Sequence, residues 1–272
     1  MRLACLLLAA ALGATPYRGT VVKADREAGV LTVEGADGVR TVAAAGVGDL
    51  EIGWEGRPIR AERIESEGRL RLERLFPEDP EAMAEIAAAA AALRRDTVER
   101  GRLVARAEGD FAPAFVLWDH HGNLARSGDL RGRPYVLNFI FTRCKAAEMC
   151  PASSACMASL GKALREAGLG GKVRLLTITF DPAHDSPGVL RAYAAGMGLD
   201  PDHHRLLTGD REMIRDLMRQ FGILTLEQDG TIVHNAATVV VSPDGRIVAR
   251  RPGARFEPED LMPLLGRLTA PR

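Results

Sequence analysis

Tyr135-Val136-Leu137-Asn138-Phe139-Ile140-Phe141-Thr142-Arg143-Cys144-Lys145-Ala146-Ala147-Glu148-Met149-Cys150-Pro151 passes from a nearly unbroken apolar run, through a polar loop with a cysteine at each end, into a proline. An apolar run without alternation is what a strand covered on both faces requires, and such strands belong to sheets with helices packed on either side. Pro151 suits the first position of a helix, because the amide it lacks would find no partner there, and the helix runs on to about Ala167. The segment is strand, loop, helix. Cys144 falls just past the carboxyl end of the strand and Cys150 at the N-terminus of the helix, on the edge of an open α/β sheet where ligands bind.

The same reading extends in both directions. Arg174 to Phe180 is a second buried strand, Asp185-Ser186-Pro187 caps a helix through Tyr193 to Met197, and Asp210 caps another that ends near Gln220. Thr238 to Val241, the Ser242-Pro243-Asp244-Gly245 turn, a short strand from Arg246 to Ala249 and a helix from Pro258 to Leu268 close the chain. From about Ala107 the alternation of strands and helices therefore predicts an α/β sandwich. Upstream the pattern differs. Thr20–Ala24, Val30–Glu34, Val39–Ala43 and Arg69–Leu75 read as short strands, separated by turns such as Ala36-Asp37-Gly38, so residues 17–76 form a small, mainly β, barrel-like domain. Glu81 to about Arg100, with six consecutive alanines from Ala87 to Ala92, reads as a helix, and residues 77–106 as a helical linker without chemistry of its own.

Composition bounds the function. Thirty-six basic residues balance 36 acidic ones, which argues against a strongly basic nucleic-acid binder. With 46% hydrophobic residues over 272, the chain builds a sizeable core and is not globally disordered. Only four of the basic residues are lysine, a skew that codon usage explains without any phosphate recognition. Met1-Arg2, the apolar run Leu3–Leu12 and the small residues Gly13-Ala14 describe a signal peptide over residues 1–14, too short for a membrane span of ~20 residues. The expected location is periplasmic or otherwise extracytoplasmic, with membrane attachment through this segment left open.

Four cysteines need separate accounts. Cys5 lies within the signal segment and leaves with it. Cys156 is in helical register with Leu160 and Leu164, as a small core residue would be. Cys144 and Cys150 remain. Five intervening residues let both sulfurs converge, to close a disulfide or to clasp a soft metal ion, and the helix N-terminus predicts an acidic Cys150 thiol. His120-His121 and His203-His204 are adjacent pairs in polar surroundings and read as solvated loops.

The strand leading to Thr142-Arg143-Cys144, the following Cys150-Pro151, the segment Thr177-Ile178-Thr179-Phe180-Asp181-Pro182-Ala183-His184-Asp185-Ser186-Pro187, and His234 ahead of the Pro243-Asp244-Gly245 turn together resemble the Sco/SenC family over residues 107–268. That resemblance implies a thioredoxin-like fold and a copper-handling assembly factor for a terminal oxidase, with copper bound by Cys144, Cys150 and His234. Asp181 would lie near the metal and orient His234 or a partner. The implied partner is the oxidase subunit with the copper site, or another copper or thiol protein. The family usually has three residues between its cysteines; this chain has five, like a Sco-like subgroup with a longer loop, and no proline follows Cys144. Thiolates and an imidazole suit Cu(I), and a thiol pair that oxidises would couple metal release to redox state. The alternatives are a thiol-disulfide oxidoreductase using Cys144 and Cys150 as a redox pair, and a protein-binding module, the latter favoured if the sulfurs stand apart. The β domain faintly resembles copper-binding β-barrel modules found upstream of some Sco-like proteins. Residues 17–76 contain Trp54 but neither Met nor His, so a docking or spacer role fits it better.

Overall fold

The computed structural model describes residues 14–66, 68–101, 105–228 and 231–270. Cys5 and the expected signal segment up to Gly13 lie outside the described residues. Five strands near the N-terminus, β1 (Thr15–Asp25), β2 (Val30–Glu34), β3 (Arg40–Ala44), β4 (Pro58–Ser66) and β5 (Arg69–Pro77), close into a barrel in the order β1-β2-β3-β5-β4. The long β1 serves two neighbours, β4 with its first half and β2 with its second, and a register shift between Val21 and Lys23 bends it enough to do so. A short helix, α1 (Val47–Glu51), follows β3. Leu31 and Val33 alternate inward from β2 to meet Val21, Ile59, Leu72, Leu75 and the fully buried Trp54.

Helix α2 (Pro80–Arg100) starts at Asp79, whose carboxylate accepts the amides of Glu81 and Ala82, each at 3.0 Å. It is no spacer. Ala82, Ile86 and Leu93 lie on one stripe and enter the core of the following domain, because an Ala-rich face allows close approach to the sheet.

That domain contains β6 (Val116–Asp119), β7 (Leu124–Arg126), β8 (Tyr135–Ile140), α3 (Cys150–Glu166), β9 (Arg174–Thr179), α4 (Pro187–Gly196), β10 (His204–Thr208), α5 (Arg211–Gln220), β11 (Thr225–Gln228), β12 (Thr231–His234), β13 (Ala237–Val241), β14 (Ile247–Pro252) and α6 (Pro258–Thr269). Its sheet runs β14-β13-β8-β9-β10-β6-β7, with β8, β9 and β10 parallel at the centre and antiparallel strands at both margins. The apolar run of β8 is explained by its two covered faces. Leu137 and Phe139 enter the core under α2 and α5, whereas Val136 faces Met157 and Leu160 of α3 on the other side. Cys156, beside Met157, is half-buried at the margin of this second core, so the central position expected for it belongs to Met157.

The histidine pairs also depart from expectation. One member of each is buried, His120 fully and His204 to 1% exposure. His204 opens β10 on the same side as Leu206, so strand alternation carries it inward while Arg205 stays exposed. It joins a buried chain of hydrogen bonds in which Thr177 Oγ1 meets His204 Nε2 at 2.7 Å and donates to Asn138 Oδ1 at 2.6 Å, and Asn138 Nδ2 donates to Ser153 Oγ at 2.7 Å.

Candidate metal centre

The loop after β8 is pinned where it starts. The Thr142 amide and hydroxyl both donate to the buried carboxylate of Asp185, the amide at 3.1 Å, and the same carboxylate accepts the Thr179 hydroxyl at the end of β9. The Cys144 amide then turns back to Phe141 O at 3.3 Å, and Met149 N bonds Ala146 O at 3.0 Å before Cys150 opens α3. Cys150 is 1% exposed and packs with Ile140 and Phe141, whereas Cys144 sits at the partly open rim; both are free thiols.

His234 comes from the far side of the sequence, at the end of β12. The β11–β12 hairpin pairs Thr225 with His234, and the side chain of Asn235 closes its base by accepting Leu224 N at 2.8 Å and donating to Gly222 O at 3.0 Å. His234 Nδ1 lies 2.8 Å from the carbonyl oxygen of Asn235. A carbonyl can only accept, so Nδ1 carries the proton and Nε2 presents a lone pair, 3.4 Å from Cys150 Sγ. Phe180 and Phe141 flank the ring at centroid distances of 4.7 Å and 5.9 Å, the latter edge-on.

One donor atom from each of Cys144, Cys150 and His234 lies within 4.8 Å of the others, and among the described residues no other group of three His, Cys, Asp or Glu converges in this way. Sulfur and imidazole donors bound at ~2.0 to 2.3 Å stand about 3.6 to 3.8 Å apart around one ion, so the spacing present needs only small adjustment to hold a cation. Two soft sulfurs with one imidazole is a donor set for a thiophilic metal. Burial lowers the pKa of His234, which keeps its ring neutral and able to ligate.

The thiol of Cys150 corrects the expectation of an acidic cysteine. Burial in an apolar pocket drives its pKa far up, and the neighbouring Cys144 and Asp185 push the same way. The field of a helix N-terminus is worth typically 0.3–1 kcal/mol, up to ~2 when partly buried, and does not offset such desolvation. Binding a cation here therefore displaces a proton from a thiol that holds it tightly.

Asp181 is also placed differently from expectation. Its carboxylate pairs with Arg143, Nη2 to Oδ2 at 2.6 Å, so it braces the residue before Cys144, and the Asn235 carbonyl is what orients His234. Two residues at the site went unread in the sequence. Asp185, seen there only as part of a helix cap, anchors the cysteine loop. Tyr193 of α4 borders the cysteines and bonds Ser154 of α3 through its hydroxyl at 2.8 Å, its pKa pushed up to about 12 by burial.

A sheet with a parallel centre and flanking helices, with two cysteines in the loop beyond its central strand and a histidine brought to them by a separate hairpin, defines a thioredoxin-like protein with a donor set for a thiophilic metal. The SCO1/SenC family model matches residues 104–269, and the chain belongs to that family. The SCO1 protein homolog of Bacillus subtilis (strain 168) is 27% identical over 150 residues, covering 54% of this chain and 76% of that protein. The mitochondrial SCO2 homolog of Bos taurus is 32% identical over 161 residues, 56% of each chain. Among solved structures, a SCO1/SenC family lipoprotein from Bacillus anthracis str. Ames aligns with a TM-score of 0.55 at 25% identity, covering 61% of this chain and 100% of that one. Bradyrhizobium japonicum ScoI with copper bound aligns at 0.50 and 26% identity, over 58% and 99% of the two chains. The family match leaves the barrel and α2 outside it.

Proposed function

We propose that this protein is an extracytoplasmic copper carrier that serves the copper site of a terminal oxidase, with copper as its cargo held by Cys144, Cys150 and His234. The observation that carries the reading is the convergence of these three donors within 4.8 Å. Copper, among thiophilic metals, is supported by the copper-bound relative from Bradyrhizobium japonicum and by family membership, which is also the ground for proposing an oxidase client. The extracytoplasmic location rests on the N-terminal apolar segment of the sequence. In this role Nε2 of His234 and the two sulfurs bind the ion, Asn235 fixes the ring, Asp185 holds the loop, and the phenyl rings of Phe141 and Phe180 keep water from one side.

Titration of the reduced chain with Cu(I) tests the reading. One ion per chain is expected, and Cys144→Ala, Cys150→Ala or His234→Ala should lose stoichiometric binding; variants that all bind as the parent does would overturn it. In the oxidoreductase alternative, Cys144 and Cys150 give up two electrons and two protons to a partner's disulfide, leaving it as two thiols while a Cys144–Cys150 disulfide forms. That exchange needs the two sulfurs and at most a base for Cys150, a task His234 Nε2 could fill, whereas the convergence of all three donor atoms within 4.8 Å is what one metal ion asks for, which is why the metal reading is preferred.

A further inference from the structure

Helix α4 has neighbours in both parts of the molecule. On one side it meets α1 of the barrel at two glycines. A Cβ on Gly48 would lie 1.8 Å from Gly188 O and 2.9 Å from Ala192 N, and one on Gly188 would lie 2.1 Å from Asp49 Oδ1. No other residue type lets the two backbones approach so closely. Around this crossing Arg191 pairs with Glu51 at 3.5 Å, and Arg57 of the barrel donates to the carbonyls of His121, at 3.0 Å, and Gly122. Gly122, at φ +68°, is itself pressed against Trp54, whose ring a Cβ would approach to 2.7 Å. Asp49 is 5% exposed and its Oδ1 finds no partner there, so packing holds the contact against an unmet hydrogen bond.

On its other side the same helix forms part of the metal centre. Asp185 immediately precedes the capping Ser186 and holds Thr142, two residues ahead of Cys144. Tyr193, two residues past Arg191, packs beside Cys150 and Cys144. A rigid element with close contacts at both faces passes a shift at one face to the other, because packed interiors have little room to absorb it.

We infer that the barrel is a working part of the metal centre: by clamping α4 at Gly188 it sets the positions of Asp185 and Tyr193, and through Thr142 the loop that carries Cys144. The inference rests on the reading of Cys144, Cys150 and His234 as the metal site. It assigns the barrel a positioning role in place of a metal site of its own, in keeping with its lack of Met and His.

The test uses the full reduced chain and Gly48→Leu, a barrel substitution remote from the cysteines. Two quantities are read: the rate of Cys144 alkylation by iodoacetamide without metal, and Cu(I) affinity by competition with a chromophoric chelator. A change of about three- to tenfold in each is expected, while Val42→Ser, on an exposed barrel position, stays at the parent values. Arg57→Ala removes the two bonds to residues 121 and 122 together with the guanidinium over the Trp54 ring, all at the same crossing, and should shift both quantities in the same direction if Gly48→Leu folds poorly. Parent values of both quantities in both interface variants would overturn the inference. A parent chain that binds no copper would overturn the metal reading alone, since the alkylation rate still reports on the loop.

Discussion

Replacing His204 with glutamine should remove a specific acid sensitivity from the fold. In the parent chain Thr177 gives its one hydroxyl proton to Asn138, so His204 Nε2 must be the donor to Thr177, and the neutral ring is left with a bare Nδ1 that has no partner. A second proton on Nδ1 would place a charge in a buried site, and burial accordingly holds the pKa down at about 3, against 6.5 for an ordinary histidine. Between those values the unfolded chain binds a proton that the folded chain refuses. Stability from this residue is therefore complete about one unit above pH 6.5 and is lost as pH falls toward 3, with a slope that reaches about 1.36 kcal/mol per pH unit between the two values. From pH 7.5 to 4.5 the parent should lose about 2.7 kcal/mol more than His204→Gln, whose amide can still donate to Thr177. Other groups titrate in the same range: His120, also held at about 3, adds the same sign, whereas Asp49, raised to about 7 by burial, contributes stability at low pH that is lost as pH rises toward 7. Asp49 is common to the two chains and cancels in the difference; His120, lowered mainly by burial, owes a smaller part of its shift to His204 and cancels in part. Urea unfolding followed by far-UV circular dichroism at four pH values between 7.5 and 4.5 supplies that difference. Parallel stability curves for the two chains would refute the reasoning.

Two further outcomes follow from the metal centre. In the reduced, metal-free chain at pH 8, mass spectrometry should find Cys144 alkylated at least about tenfold faster than Cys150, whose thiol is buried and pushed up in pKa; equal rates would remove burial as the controlling term. Nitrogen-15 NMR at pH 7 should show His234 protonated at Nδ1 with a bare Nε2, and Asp181→Asn should leave that tautomer in place; the opposite tautomer in either chain would contradict the assignment of Asn235 as the orienting group.

Much of the catalogue of donors was legible because their chemistry is carried by residue type. Cys144 and Cys150 sit at the carboxyl end of a strand that announces itself by its apolar run, and the resemblance to a family singled out His234. What escaped has particular causes. In β4 only Ile59 and Ala61 are buried among alternating charges, too thin a pattern to mark a strand. The β11–β12 hairpin did have a signal, Asp229-Gly230 between short runs, which is a strong turn pair that went unused. His204 had one too, since it alternates with Leu206 in register with the core. The protonation of Cys150 had none: a helix N-terminus is a local property visible in sequence, whereas the desolvation that overrides it comes from Ile140 and Phe141 of another element.

The same distinction separates donors from what governs them. The group that fixes the ring of His234 is a backbone carbonyl, which any residue supplies, so no choice of side chain at position 235 records that role, although the amide of Asn235 earns its place by closing the hairpin. Gly48 and Gly188 are in sequence two unremarked small residues, and acquire meaning only from facing each other across the two domains. A metal site whose ligands are written locally but whose ligand tautomer, thiol protonation and loop position are set by tertiary contacts can be retuned without touching a ligand. Substitutions at the barrel crossing are then the place where affinity should vary while the set of donors stays constant.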